Sequence, residues 1–582
     1  MPRRLSRSAA PASGGILRTA TMLGGYTLLS RLLGLVRDMG MAWLLGGGLL
    51  ADALVAAMRL PHALRRLLGE GSLSMTMTAA LLRHHAPVEE ATGRLSPGMA
   101  ALTAALAVRL GGMLLGLTLL GLWAAPWLAA LLTPGFSGPE LERVTGLLYI
   151  CLPYLPAAVM AAVGMAVLHS SRVFGLPALS PSIFNVVILA FTAAAFWGGF
   201  NPAVSLAWGM LCGGLAQCCV QWWGVWRLWP KADPARAVCP DPSGWGGMAW
   251  RGIRQLPAGV AGAAAPQLSM LAAMMLASGL GEGRVAALYY AERLLELPLG
   301  LVGVCLGMAS LPTLSELAVR GRYTTFAEQL AQALRWSLLL ALPASAGLAA
   351  VAPPLVAALL QHGAFDQGAV RATTLALWAG IPGLPAFACT RCLLAACNAL
   401  GLVRATGLST LWAVVTALVA GWILGHWAGP QWFGADVVGM APALGVSLGA
   451  WCQTWLLARA VRRGLHHGMM HSGQDGKQDA GLVQGYSLAR QILAASAAGL
   501  SAVVPVGLCP AAGWPWLPLI LGLLAGLAAW GLALYLWGQD EVRSVLQALE
   551  RNAIENGSCS GERESGRPRR KQAGKPRFSR EA

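Results

Sequence analysis

Three stretches of otherwise apolar sequence carry ionisable side chains at helical spacing. Residues 16–45 hold Arg31, Arg37 and Asp38; residues 49–82 hold Arg59, His62, Arg65, Arg66 and Glu70; residues 285–318 hold Glu292, Arg293 and Glu296. Arg31 and Asp38 are seven apart and share a helix face, while His62, Arg66 and Glu70 run down one stripe with Arg59 three before it. Arg65 lies about 100° from Arg66 around the helix, so a single narrow face does not hold both. A charge near the centre of a membrane helix costs at least ~2.5–3.5 kcal/mol. Acids can offset some of this by pairing, Arg66 with Glu70 and Arg293 with Glu296, and some side chains can snorkel to the interface. Pairing does not absorb the set, because Arg31, Arg37, Arg59, Arg65, Arg66 and Arg293 outnumber Asp38, Glu70, Glu292 and Glu296. A cationic remainder in a wet cleft calls for an anion. The planar guanidinium fork binds two oxygens at once and stays charged, which suits a phosphorylated ligand.

The elements that must position these groups are membrane helices. The chain has 582 residues, 56% hydrophobic and 12% charged, far too little charge to cover a soluble protein of this size. Apolar stretches fall near 16–45, 49–82, 99–132, 143–170, 177–199, 203–229, 251–279, 285–318, 329–360, 369–400, 405–427, 437–460, 485–510 and 514–537. The expected fold is an all-α polytopic membrane protein of about 14 transmembrane helices. Several stretches contain proline, including Pro61, Pro153, Pro156, Pro257, Pro266, Pro298, Pro382 and Pro385, and broken helices belong where they line a cavity.

The net charge of +17, from 42 Lys+Arg and 25 Asp+Glu, sits mainly in alternate connections. Basic residues gather at Arg3/Arg4/Arg7, Arg83/Arg94, Arg172, Arg227/Lys231/Arg236, Arg320/Arg322, Arg404 and Arg459/Arg462/Arg463/Lys477. The positive-inside rule then places both termini in the cytoplasm. No basic soluble domain exists to bind nucleic acid. Cys218–Cys219 and Cys389-x-x-Cys392 lie in apolar helices and read as packing residues. His84-His85, His466-His467 and His471 fall in connecting segments, and no metal site is expected from them.

Three segment pairs recur in the same order. Leu152-Pro-Tyr-Leu-Pro-Ala157 matches Ile381-Pro-Gly-Leu-Pro-Ala386, Ala125-Pro-Trp-Leu-Ala-Ala-Leu-Leu132 matches the stretch from Ala352 to Leu360, and Ala57-Met-Arg-Leu60 matches Ala291-Glu-Arg-Leu294. The offset spans about six helices, an even number, so the copies are parallel. The expected organisation is a tail (1–15), a first six-helix lobe (16–230), a second (231–463), a cytoplasmic linker (464–484), two extra C-terminal helices (485–540) and a basic disordered tail (541–582), with a central cavity between the lobes.

The same residues carry a family resemblance. Ser30-Arg-Leu-Leu-Gly-Leu-Val-Arg-Asp38, Ala51-Asp-Ala53, Arg59-Leu-Pro-His-Ala-Leu-Arg-Arg66, Gly69-Glu-Gly71, Pro134-Gly-Phe136, Pro153-Tyr154, Asn185 and Tyr289-Tyr-Ala-Glu-Arg-Leu-Leu-Glu-Leu-Pro298 with Leu311-Pro312 resemble the signature of the MurJ (MviN) lipid II flippases. The resemblance implies the fold of the multidrug/oligosaccharidyl-lipid/polysaccharide exporter superfamily. It implies movement of undecaprenyl-diphosphate-linked peptidoglycan precursor across the bacterial inner membrane by alternating access. It places Arg31, Arg37, Arg65 and Arg293 on the diphosphate. It assigns Ser30, Asp38, Asp52, Arg59, His62, Arg66, Glu70, Glu292 and Glu296 gating or supporting roles around the cavity, and the last two helices a groove for the lipid tail. Arg59, His62 and Glu292 stand where the family usually has Lys, Asn and Asp. The partners implied are lipid II and membrane lipids, with the chain acting as a monomer. No cofactor is expected, and a coupling cation or the membrane potential would supply the energy. The rival readings are a cation-coupled drug or polysaccharide-lipid exporter of the same fold, which predicts an acid-dominated cavity for drugs, and a membrane-embedded glycosyltransferase or ligase. The latter needs a large outward loop with a catalytic acid or base, whereas these connections are short.

Overall fold

In the computed structural model the described residues are 13–68, 94–230, 264, 266–428, 438–471 and 516–537. Among them every regular element is a helix: α1 Ser13–Leu45, α2 Leu49–Leu68, α3 Pro97–Trp123, α4 Ala125–Leu132, α5 Pro139–Cys151, α6 Tyr154–Ser170, α7 Gly175–Gly198, α8 Pro202–Leu228, α9 Pro266–Ser278, α10 Arg284–Val319, α11 Tyr323–Leu360, α12 Gln367–Gly380, α13 Leu384–Ala399, α14 Val403–Trp422, α15 Ala441–His471 and α16 Trp516–Trp537. Local chemistry sets several starts. Ser96 accepts from the Met99 amide ahead of Pro97, and Asn201 accepts from the Ala203 amide ahead of Pro202. Asp366 accepts from the Ala369 amide at the start of α12. Each is a side-chain oxygen on an otherwise orphan helix amide, with proline tolerated in the first turn.

Seven helical segments are long and apolar enough to cross a membrane, α5–α6 and α12–α13 each counting as one. This is a multi-pass membrane protein. The short helix α2 is not among those seven, because Asp52, Arg59, Arg65 and Arg66 within its 20 residues lower its mean hydropathy. The sequence ranges 485–510 and 541–582 and most of 251–265 lie outside the described residues. Residues 464–471, expected as linker, continue helix α15 and carry His466, His467 and His471.

The packing repeats. In the first half α2 packs on α5 and α6, α3 on α6, α6 on α8, and α7 on α8. In the second, α10 packs on α12 and α13, α11 on α13, α13 on α15, and α14 on α15. The matched proline segments lie at matching breaks: α5 gives way to α6 at Leu152-Pro153, and α12 to α13 through a 3-10 turn at Ile381–Gly383. Proline removes a ladder donor and clashes with the preceding turn. Pro156 and Pro385, in the first turns that follow, cause no second break. The second matched pair differs, since Trp123–Ala125 interrupts one copy while Ala352–Leu360 stays within continuous α11. The two sets meet where α2 faces α10 and α1 faces α11.

Candidate functional site

A cavity of about 740 Å³ lies between the two sets. Helix α1 supplies Ser30, Arg31, Arg37 and Asp38, α2 supplies Arg65 and Arg66, α7 supplies Asn185, α10 supplies Glu292, Arg293 and Glu296, and α13 supplies Arg391. Six arginines and three carboxylates therefore line it. Arg65 and Arg66 both reach the wall, contrary to the single-face expectation. A broad cavity subtends more than one helix stripe, and a long arginine stem covers the remaining angle.

The acids lie among the arginines. Arg37 donates to Asp38 through Nε and Nη2, at 3.0 and 2.8 Å. Arg293 lies 3.8 Å from Asp38 and donates to Glu296 at 2.8 Å. Glu296 also pairs with Arg66 at 3.1 Å. Glu70, the expected partner of Arg66, lies outside the described residues. Arg293 further stacks over the Tyr289 ring, 4.8 Å from its centroid, and the Tyr289 hydroxyl donates to Asp38 at 3.0 Å. Three carboxylates cannot neutralise six guanidinium groups. Arg31 and Arg391 make neither an ion pair nor a hydrogen bond among the described residues, and they stand on opposite walls of the cavity.

Two expected cavity residues are elsewhere. Arg59 is buried and pairs with Glu292 across the α2–α10 junction, so its charge locks two helices together. His62 packs edge-on against Tyr154 and Phe184, with ring centroids 5.6 and 6.3 Å away, beneath the cavity wall rather than on it. Arg59 is the repeat equivalent of Arg293, yet one clamps and the other lines the cavity.

Asp52 is also remote from the cavity. It is fully buried, and its carboxylate accepts from the Gly283 and Ala286 amides at 2.7 and 2.6 Å. The N-cap residue of α10 is Gly283, at φ +76°, which has no side chain to cap with. Asp52 therefore caps α10 from the other half of the molecule, as a carboxylate suits the positive end of a helix. Around it the halves approach closely. Ala364 N–H donates to the Trp43 carbonyl at 2.9 Å, Leu49 N–H to Glu282 at 3.2 Å, and Gly135 N–H to Ser278 at 3.2 Å. A Cβ on Gly135 would collide with the Ser278 and Gly279 backbone, and one on Gly363 with Trp43. One end of the cavity is thus closed by backbone contacts that only glycine allows.

Two cavity roles went unread in the sequence. Arg391 is the one charged side chain in the apolar segment 384–399, a signal in itself, but nothing in its spacing links it to α1. Asn185 was noted only as a motif residue. Its Oδ1 accepts from Arg37 Nη1 at 2.9 Å and its Nδ2 donates to the Ser30 carbonyl at 3.0 Å, so it fixes Arg37 against α1. Asn185→Leu is expected to lower transport about 10-fold by freeing one charge-assisted contact, read as initial rate at saturating substrate, with the protein still folded by thermal melting.

A family model described as "Lipid II flippase MurJ" matches residues 41–504. A probable lipid II flippase MurJ of Bdellovibrio bacteriovorus is 33% identical over 385 residues, 65% of this chain and 71% of the relative. Its counterpart in Haemophilus influenzae is 32% identical over 378 residues, 62% and 71% of the two chains. A solved lipid II flippase MurJ in an inward closed conformation superposes with a TM-score of 0.68 at 18% identity, covering 90% of this chain and all of that one. An inward-facing multidrug resistance transporter of the MATE family shares the fold more distantly, with a TM-score of 0.60 at 15% identity over 78% of this chain and 99% of that one. By the extent of the family match and the similarity to these relatives, the chain belongs to the MurJ family of lipid II flippases.

Proposed function

We propose that this protein is a lipid II flippase, a transporter rather than an enzyme, which carries the diphosphate-linked peptidoglycan precursor between leaflets of the bacterial inner membrane. The observation that carries this reading is the surplus of three arginines over carboxylates in the cavity wall. The diphosphate binds among Arg31, Arg37, Arg65, Arg293 and Arg391, and the polyprenyl tail stays in lipid. Asp38 and Glu296 hold Arg37, Arg66 and Arg293 in place without cancelling them. The two halves rock about the site, and the end closed by Asp52 opens as the other end shuts. With both termini in the cytoplasm, the precursor enters from that side. The membrane potential acts on the unbalanced cavity charge at about 2.3 kcal/mol per charge per 100 mV. Drug export on the same fold is disfavoured by the sign of that charge, since organic cations require the opposite.

The test is rescue of precursor export in cells depleted of their own flippase. The intact chain restores growth and precursor export, and Arg31→Ala does not. Failure of the intact chain, or equal rescue by both, refutes the reading.

A further inference from the structure

The internal repeat extends to a feature unconnected with the cavity. Helices α8 and α15 occupy equivalent places, and their C-terminal halves align at a constant offset. Gln221 and Gln453 are buried, Val225 and Leu457 are buried, and Trp223 and Trp455 are exposed, as are Arg227 and Arg459. In both helices an arginine sits four residues after the tryptophan and folds back over its ring. The Arg227 Cζ is 3.9 Å from the Trp223 ring centroid, and the Arg459 Cζ is 5.4 Å from that of Trp455. Spacing of four places each pair on one helix stripe.

That stripe has a polarity. On α8 it runs outward-facing from Leu215 through Cys219 and Trp223 to Arg227; on α15 it runs from Leu448 through Trp451 and Trp455 to Arg459. Apolar side chains give way to indole and then to guanidinium, the order found in crossing from hydrocarbon to headgroups. Neither helix contains an Asp or Glu. Neither arginine makes an ion pair or hydrogen bond among the described residues. A guanidinium held over an indole face by the ring's attraction for a cation still has N–H groups to donate to a further acceptor. The available acceptor at that depth is a lipid phosphate.

We infer that Trp223–Arg227 and Trp455–Arg459 form two repeat-related sites on the outer surface, one in each half, that hold the phosphodiester of an anionic phospholipid. The tryptophan packs along the acyl-glycerol region while the arginine fork takes the phosphate oxygens. Placed alike on the two halves, the sites tether each half to the same leaflet and hold its level in the membrane as the halves move. Arg462 and Arg463 follow on the exposed surface of α15 and add long-range attraction at that site. This inference is independent of the cargo assigned to the cavity.

The test is native mass spectrometry of the full-length chain released from phosphatidylglycerol or phosphatidylcholine micelles. The intact chain is expected to retain two phosphatidylglycerol molecules at collision energies that strip phosphatidylcholine. Arg227→Gln and Arg459→Gln should each lose one, with an affinity loss of about fivefold per arginine, and the double variant should lose both. Arg320→Gln, which removes an exposed arginine paired with Glu316, should retain both. Added inorganic phosphate should not displace the lipid. If the double variant holds as much phosphatidylglycerol as the intact chain, the inference is overturned. It is overturned equally if the intact chain holds the two lipids alike, a result that needs no variant to fold.

Discussion

Replacing Arg293 with Gln is expected to reduce transport about 10- to 100-fold, the loss of one charge-assisted contact to a phosphate. Arg293 occupies the middle of the cavity network. It reaches Glu296 at 2.8 Å and Asp38 at 3.8 Å, and lies over Tyr289. Its removal has two consequences of the same sign. The arginine surplus drops from three to two, and Asp38 and Glu296, no longer shared with Arg293, hold Arg37 and Arg66 more firmly against exchange for phosphate. Arg293→Lys keeps the charge but not the fork, and should fall between. Transport of fluorescent lipid II into proteoliposomes, with binding measured in parallel, separates the effects. A full rate in Arg293→Gln would show that the cavity does not use this arginine on the phosphate.

Asp52→Ala should act through the closed end rather than through substrate binding. It leaves the buried Gly283 and Ala286 amides without their acceptor, at a cost of about 1–3 kcal/mol for each group left unpaired. The cost falls only on the state in which α2 meets α10, because separation lets water reach those amides. A bias of about 2 kcal/mol shifts the balance between closed and open about 30-fold. Cysteines introduced at Gly48 and Glu282, which face each other across the junction, should cross-link readily in the intact background and slowly with Asp52→Ala. Binding of substrate to the cavity should change little. Asp52→Asn, which keeps one acceptor oxygen, should fall between the two. Unchanged cross-linking in Asp52→Ala would mean that the cap does not hold this end shut.

The proposed division of labour among the charges follows from their surroundings. A carboxylate placed between two arginines, as Asp38 and Glu296 are, lowers the mutual repulsion of the cations and orients them. It also competes with an incoming phosphate. Arg31 and Arg391 have no carboxylate in an ion pair with them among the described residues, so they offer the first charge to an entering headgroup, with Arg37 and Arg293 exchanging acid for phosphate.

The chain by itself determined the fold class, because 56% hydrophobic content with 12% charge has no soluble solution. It determined the internal repeat through the matched segments around Pro153 and Pro382, which fall at a helix break in both copies. It also identified most of the ionic side chains that line the cavity, because a charge in an apolar helix is too costly to be incidental. Tertiary structure decided which charges remain available. Arg59 and Arg293 occupy matched positions, but only long-range geometry sends one to Glu292 and the other to the cavity. Asp52 looked like a cavity or gating acid, and its actual partners are backbone amides more than two hundred residues away, which carry no mark in the sequence. Arg391 and Asn185 gained their roles from neighbours on other helices. Helical periodicity fixes which face of its own helix a residue occupies; it contains no information about which helix that face will meet.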